Sequence, residues 1–265
     1  MKLSLFIVIC SIFFALAQSP MQVKPDIHTE KIEYKHGDVV LQGYLAYDAS
    51  NAEKRPGVLI VHEWWGHNEY AQMRARQLAE MGYVAFALDM YGKGVITSDP
   101  NKAGELAGAF YQDRQLMRER AGTGLDVLKK QKFADSNRLA VIGFCFGGTC
   151  ALELARGGAD LNGVVSFHGG LNTPHPEDAK NIKGAILALH GADDPYVKSE
   201  EVRAFQEEMR NAGVDWQLNY YGDAVHSFTN PAAGQDKSSG AAYNEKAAER
   251  SWKAMQLFFN EIFNK

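Results

Sequence analysis

Three side chains that could together carry nucleophilic chemistry occur in the order cysteine, aspartate, histidine, each just beyond a segment of apolar β character. Cys145 stands in Gly143-Phe144-Cys145-Phe146-Gly147-Gly148. A strand that turns at once into a helix forces its corner residue into a strained backbone conformation, so the neighbouring positions must lack bulk. Gly143 and Gly147 leave that room, and Gly148 lets the helix start press against the sheet. A thiol at such a corner lies over a helix N-terminus, which favours the thiolate. The competing reading is a buried cysteine before a loose Gly-Gly turn.

Asp194 follows an apolar run in His190-Gly191-Ala192-Asp193-Asp194-Pro195, with Asp193 as the second choice of acid. His226 follows the last such run, in Gly222-Asp223-Ala224-Val225-His226-Ser227-Phe228. Singly, Asp194 could be a turn former before Pro195 and His226 a surface-loop histidine. Together they give the order nucleophile, acid, base, in which the acid orients the imidazole and the imidazole manages the thiol proton.

Acyl transfer also needs N–H donors for the developing oxyanion. The residue after the nucleophile, Phe146, supplies one, and the early loop His62-Glu63-Trp64-Trp65-Gly66-His67 supplies the other through Trp64. Glu63 is unusual there, because its carboxylate would point towards the nucleophile; the alternative is a solvent-facing loop side chain. His62 and His67 are five apart rather than four apart on a helix, which fails the H-E-x-x-H zinc spacing. His168 and His190, at strand ends, read as structural turn histidines.

The elements that must hold these groups alternate. Lys31–Lys35 and Val39–Tyr47 form a hairpin about His36-Gly37-Asp38, and Gly57–His62 is a strand buried on both faces. A helix over Glu69–Met81 ends at Gly82, and Tyr83–Leu88 is the next strand. Gly92 to Gly108 reads as a mobile stretch leading to a helix that ends near Lys130. Arg138–Phe144 is the elbow strand and Gly147–Ala155 its helix. Gly163–Phe167, Ala185–Leu189 and Trp216–Tyr220 are further strands, with helices over Ser199–Asn211 and Tyr243–Phe263. This is an α/β protein with a mostly parallel sheet and helices on both faces. No linker divides it, so residues 30–265 form one domain.

The formal charge is −4, and the richest basic stretch, Arg114 to Lys132, is broken by Asp113, Glu119 and Asp126. It reads as a solvated helix face, and nucleic acid is a poor partner for such a surface. At the N-terminus, Lys2 precedes an apolar run from Leu3 to Leu16, and Ala15-Leu16-Ala17 offers small residues for a signal peptidase. The expectation is a signal peptide over residues 1–17 cleaved after Ala17, a polar leader over 18–29, and a secreted or periplasmic protein. The apolar run is shorter than the ~20 residues a spanning helix needs, so no membrane anchor remains after cleavage. Cys10 follows bulky Ile9, which does not suit a lipoprotein site. Cleavage removes Lys2 and Cys10, leaving −5 and two cysteines, Cys145 and Cys150. Five residues apart at a helix start, they face different ways, so Cys150 is read as core and Cys145 as a free thiol.

These motifs, with Asp89-Met90-Tyr91-Gly92-Lys93, resemble the dienelactone hydrolase family over nearly everything from Lys31 to the C-terminus. The resemblance implies a single-domain α/β-hydrolase fold, a Cys–Asp–His triad, and no metal or organic cofactor. It implies hydrolysis of lactones or esters through an acyl-thioester. It gives Glu63 the role of contacting the thiol and helping to generate the thiolate. A neutral resting thiol would also oxidise more slowly after export.

In family members that open dienelactone, basic residues hold the substrate carboxylate. Lys93 takes the first such position, without the planar fork of arginine, and neutral Asn230 takes the second. The resemblance therefore points away from dienelactone itself. Trp64, Trp65, Tyr91, Phe146 and Phe228 are expected to wall an aromatic mouth for a small ester or lactone. A ligand-binding protein without catalysis, or a peptidase or thioesterase using the same triad, stand as alternatives.

Overall fold

The computed structural model describes residues 24–264. The expected signal peptide, its cleavage site, Cys10 and the first part of the leader lie outside the described residues. Among the described residues, eight strands form one sheet in the order β1-β2-β4-β3-β5-β6-β7-β8. In chain order they are β1 Ile27–His36, β2 Val39–Asp48, β3 Arg55–Val61, β4 Val84–Ala87, β5 Ala134–Phe144, β6 Gly163–Phe167, β7 Ala185–Gly191 and β8 Trp216–Tyr221. The β1–β2 hairpin joins β4 antiparallel, and every later pairing is parallel. The leader ends earlier than its composition indicates, because Ile27 to Thr29 already pair with β2.

Among the described residues, six α-helices cover the sheet: α1 Glu69–Glu80, α2 Pro100–Gln112, α3 Arg114–Lys129, α4 Phe146–Arg156, α5 Ser199–Ala212 and α6 Glu245–Phe263. Alternate side chains of the buried strands divide between two cores, as the period of two demands. Leu59, Val61 and Val141 pack with α2 to α5, while Val58, Ile60 and Ile142 pack with α1 and α6. The stretch expected to be mobile contains α2. Asp99 caps that helix, its Oδ1 accepting from Asn101 N–H at 2.9 Å, and Pro100 occupies the first turn. Its glycines, Gly104 and Gly108, hid a regular helix.

Parallel register fixes what lies along one edge. Gly143 is level with Val61, Phe144 with Phe167, Phe167 with Leu189, and Gly191 with Tyr221. The segments after β3, β5, β6, β7 and β8 therefore emerge on the same rim, the edge where α/β sheets place their ligands. At the corner itself, a Cβ on Gly143 would collide with the carbonyl group of Gly147, and one on Gly147 with the carbonyl oxygens of Val61 and His62. Strand, elbow and helix meet backbone to backbone.

A buried ionic network anchors the far end of α4. Arg156, fully buried, donates from Nε and Nη2 to the two oxygens of Glu208 on α5, at 2.7 and 2.8 Å. It also donates to Glu153 at 3.1 Å, and Arg118 of α3 joins Glu153 at 3.0 Å and Asp178 at 2.7 Å. We expect Gly143→Ala to cost about 1–3 kcal/mol through overpacking against rigid backbone, lowering Tm by about 2–4 °C per kcal/mol. Thermal denaturation followed by circular dichroism checks this.

Candidate active site

Cys145 has φ 54° and ψ −119°, a region that L-residues rarely occupy. The strain is held from two sides. Its N–H is shared between Phe167 C=O at 3.0 Å and His168 Nδ1 at 3.1 Å. With Nδ1 accepting, His168 Nε2–H donates to Thr229 Oγ1 at 2.7 Å. His168 is fully buried with φ 40°, and burial, then the nearby His226 and Arg74 charges, hold its pKa well below the ordinary value. It stays neutral and serves as a fixed acceptor.

His226 joins the acid to the cavity that holds the thiol. Its Nδ1–H donates to Asp194 Oδ2 at 2.8 Å, and it lines the same cavity as Cys145. Burial opposes its charged form, yet its pKa is raised well above 6.5, because Cys145 and Asp194 both favour the imidazolium. Asp194 is buried and oriented by Tyr196 N–H at 2.9 Å, whereas Asp193 is exposed. Of the two acids, the structure brings Asp194 to the histidine. The loop carrying His226 is bent by positive φ at Asp223 and Ser227, and His226 itself is tied through its N–H to Gly240 C=O and through its C=O to Ala242 N–H.

Phe146 opens α4, so its N–H is one of those a helix start leaves without an intrahelical acceptor. Because Gly147 abuts the end of β3, this N–H sits next to the loop carrying Trp64. The far side of the Trp64 peptide is fixed by Tyr91 OH, which donates to its carbonyl at 3.1 Å. Glu63 is 2% exposed, so it is no solvent-facing side chain, and its contact differs from the one expected. Its Oε2 accepts from Asn230 Nδ2 at 2.6 Å, while Oε1 has no hydrogen-bond partner, the thiol included. Burial raises its pKa, against the lowering effects of Asn230, His226 and Arg74. His62 spends both ring nitrogens internally, Nδ1–H on Glu63 C=O and Nε2 on Met90 N–H.

Cys145 and His226 open into a cavity of about 1120 Å³. Trp64 and Trp65 line it, as expected, their rings 4.8 Å apart. Four other expectations are corrected. Lys93 is exposed and ion-paired with Glu33 on β1, away from the cavity, because the loop after β4 runs along the hairpin. Tyr91 lies behind the lining, packed on His62 and Phe146. Phe228 is fully buried against His168 and Tyr221 in the core. The Phe146 ring is likewise buried, leaving only its backbone facing the chemistry. Both Cys145 and Cys150 are free thiols, and Cys150 is fully buried in the core.

The dienelactone hydrolase family model matches residues 41–263. The chain belongs to that family. Two solved chains share its fold closely. One, m3DLH, is 43% identical with a TM-score of 0.86, covering 89% of this chain and 99% of its own. The other, a dienelactone hydrolase-like promiscuous phosphotriesterase from metagenomic libraries, is 41% identical with a TM-score of 0.85 over the same shares. Putative carboxymethylenebutenolidase of Aquifex aeolicus is 27% identical, covering 87% of this chain and 97% of its own. The protein is thus an α/β enzyme of this family, a hydrolase of carboxylic esters.

Sequence reasoning missed the cavity wall supplied by α2 and α3. Tyr111 and Arg114 line it, and Tyr196 lines the opposite side. Arg114 and Arg120 are buried, so the basic stretch is not a solvated face throughout. The signal available was Asp99-Pro100, a helix start that places Tyr111 and Arg114 at a helix junction. Glu63 generates a stability prediction. Its raised pKa means that the native state holds more protons than the unfolded chain above about pH 4. Its contribution to stability is therefore complete at low pH and declines as pH rises. Glu63→Gln, which keeps an acceptor for Asn230, is expected to raise Tm at about pH 8 and to lose that gain near pH 4. Melts across that range check it.

Proposed function

We propose that this protein hydrolyses small carboxylic esters or lactones through a covalent Cys145 thioester. The observation that carries the reading is His226, hydrogen-bonded to the Asp194 carboxylate and opening with Cys145 into one cavity at the rim of the sheet. Cys145 Sγ, its proton held by His226, attacks the carbonyl carbon. The oxyanion forms beside the Phe146 and Trp64 N–H groups, which stabilise charge present only in the transition state. Collapse breaks the carbon–oxygen bond, and the imidazolium delivers its proton to the departing alkoxide. In a lactone this oxygen stays tethered to the acyl group. His226 then takes a proton from water, the hydroxide displaces the thiolate, and the acid leaves.

Asp194 keeps Nδ1 protonated and stabilises the imidazolium throughout. The aromatic cavity wall suits an apolar acyl or alcohol portion. The name of the Aquifex aeolicus relative, a putative carboxymethylenebutenolidase, is in keeping with a lactone substrate. The apolar run behind Lys2, with Ala15 and Ala17, supports action outside the cytoplasm; N-terminal sequencing of the processed protein should then begin at Gln18.

Hydrolysis of a short-chain 4-nitrophenyl ester tests the mechanism. Cys145→Ala is expected to abolish turnover, and undiminished activity overturns the reading. Asp194→Asn is expected to lower kcat on the order of 10³–10⁴-fold with little change in KM, as when a triad imidazole is left in the wrong tautomer.

A further inference from the structure

Arg114 is 9% exposed and lines the cavity that holds Cys145. It is the only lysine or arginine among the described residues of that lining. Its guanidinium forms no ion pair among the described residues. Nη1 is directed to Met117 Sδ at 3.7 Å, and buried Nε has no hydrogen-bond partner. The group lies over the Tyr111 ring, 5.0 Å from its centroid, and the Tyr111 ring is 5.8 Å from that of Phe146, next to the nucleophile. The nearby carboxylates do not neutralise it. Among the described residues, Asp113 caps α3 by accepting from Leu116 N–H, Glu69 pairs with Arg76, and Glu201 forms no ion pair with Arg114. Arg118, one turn further along α3, has two carboxylate partners.

A buried guanidinium without a counter-charge is costly, and a cost retained in a binding cavity is offset when an anion arrives. A carboxylate entering the cavity would supply the missing counter-charge to the part of the guanidinium that lines it, with the strength of a charge-assisted hydrogen bond. Resting on the hydrolase reading above, we propose that Arg114 binds a carboxylate on the substrate, so that esters of dicarboxylic acids are preferred over neutral esters. The charge comes from the α2–α3 junction. Neither Lys93, paired with Glu33, nor Asn230, bonded to Glu63, can supply it.

The experiment compares 4-nitrophenyl hemiglutarate with its neutral methyl-capped analogue on wild type, Arg114→Met and Arg114→Lys. Wild type is expected to favour the anionic ester in kcat/KM. Arg114→Met should lower that ratio by about tenfold or more, chiefly through KM, and Arg114→Lys should lower it less. An unchanged ratio in Arg114→Met, or equal loss on both esters, overturns the proposal and leaves Arg114 a structural residue. A second readout needs no turnover: free glutarate titrated against Trp64 and Trp65 fluorescence should saturate in wild type and bind about tenfold more weakly in Arg114→Met. Equal binding overturns the proposal. If wild type cleaves neither ester, the hydrolase reading fails while the glutarate titration still decides the role of Arg114.

Discussion

The structure depends on a backbone contact that admits no side chain. Where β5 becomes α4, Gly143 meets Gly147 and Gly147 meets the end of β3, so the strand turns into a helix within a single residue. That residue is Cys145, and its positive φ is the local cost of the turn. Because the corner is backed by main chain rather than movable side chains, the thiol cannot relax away from the rim. The same closeness sets the first N–H of α4 beside the loop after β3. One steric condition thus places both the thiol and the groups that would receive an oxyanion in the proposed reaction.

Everything else on the rim is fitted to that corner. His168 accepts from the Cys145 N–H and donates its Nε2–H to Thr229 Oγ1, whose hydroxyl also meets Tyr70 OH. Arg74 donates to Tyr70 OH and to Thr229 C=O, so the elbow is tied to α1 and to the loop after β8. That loop also carries His226 and Asn230, and Asn230 holds Glu63. Loops from four strand ends are therefore mutually fastened, and the imidazole keeps its place against the Asp194 carboxylate without relying on any one of them. Such bracing is what a preorganised electrostatic site requires.

Most of the fold was legible because its signals are local. The glycines at 143, 147 and 148, the short apolar runs and the cap residues each state their own structure, and β6 falls on Gly163–Phe167 as its pattern indicates. Residues brought together from distant segments were harder to read. Lys93 follows a strand end, as an anchor would, but its loop folds back along the hairpin to Glu33. Phe228 is adjacent in sequence to the site and points into the core, because the turn at Ser227 reverses its direction. Tyr111 and Arg114 reach the cavity only because α2 and α3 meet there, and no local pattern encodes that meeting. Glu63 stands out locally as an acid in an aromatic loop, but its partner is Asn230, far along the chain.

The cluster of Arg156 with Glu153, Glu208 and Arg118 joins the elbow helix to its neighbours α3 and α5. Heat affects such a cluster differently from an apolar core, since the hydration that charged groups give up becomes less favourable as temperature rises. The rear attachment of α4 should consequently hold its relative strength on warming, while the polar loops of the rim loosen first. Loss of catalytic alignment would then precede collapse of the scaffold, and inactivation short of melting would be recoverable on cooling.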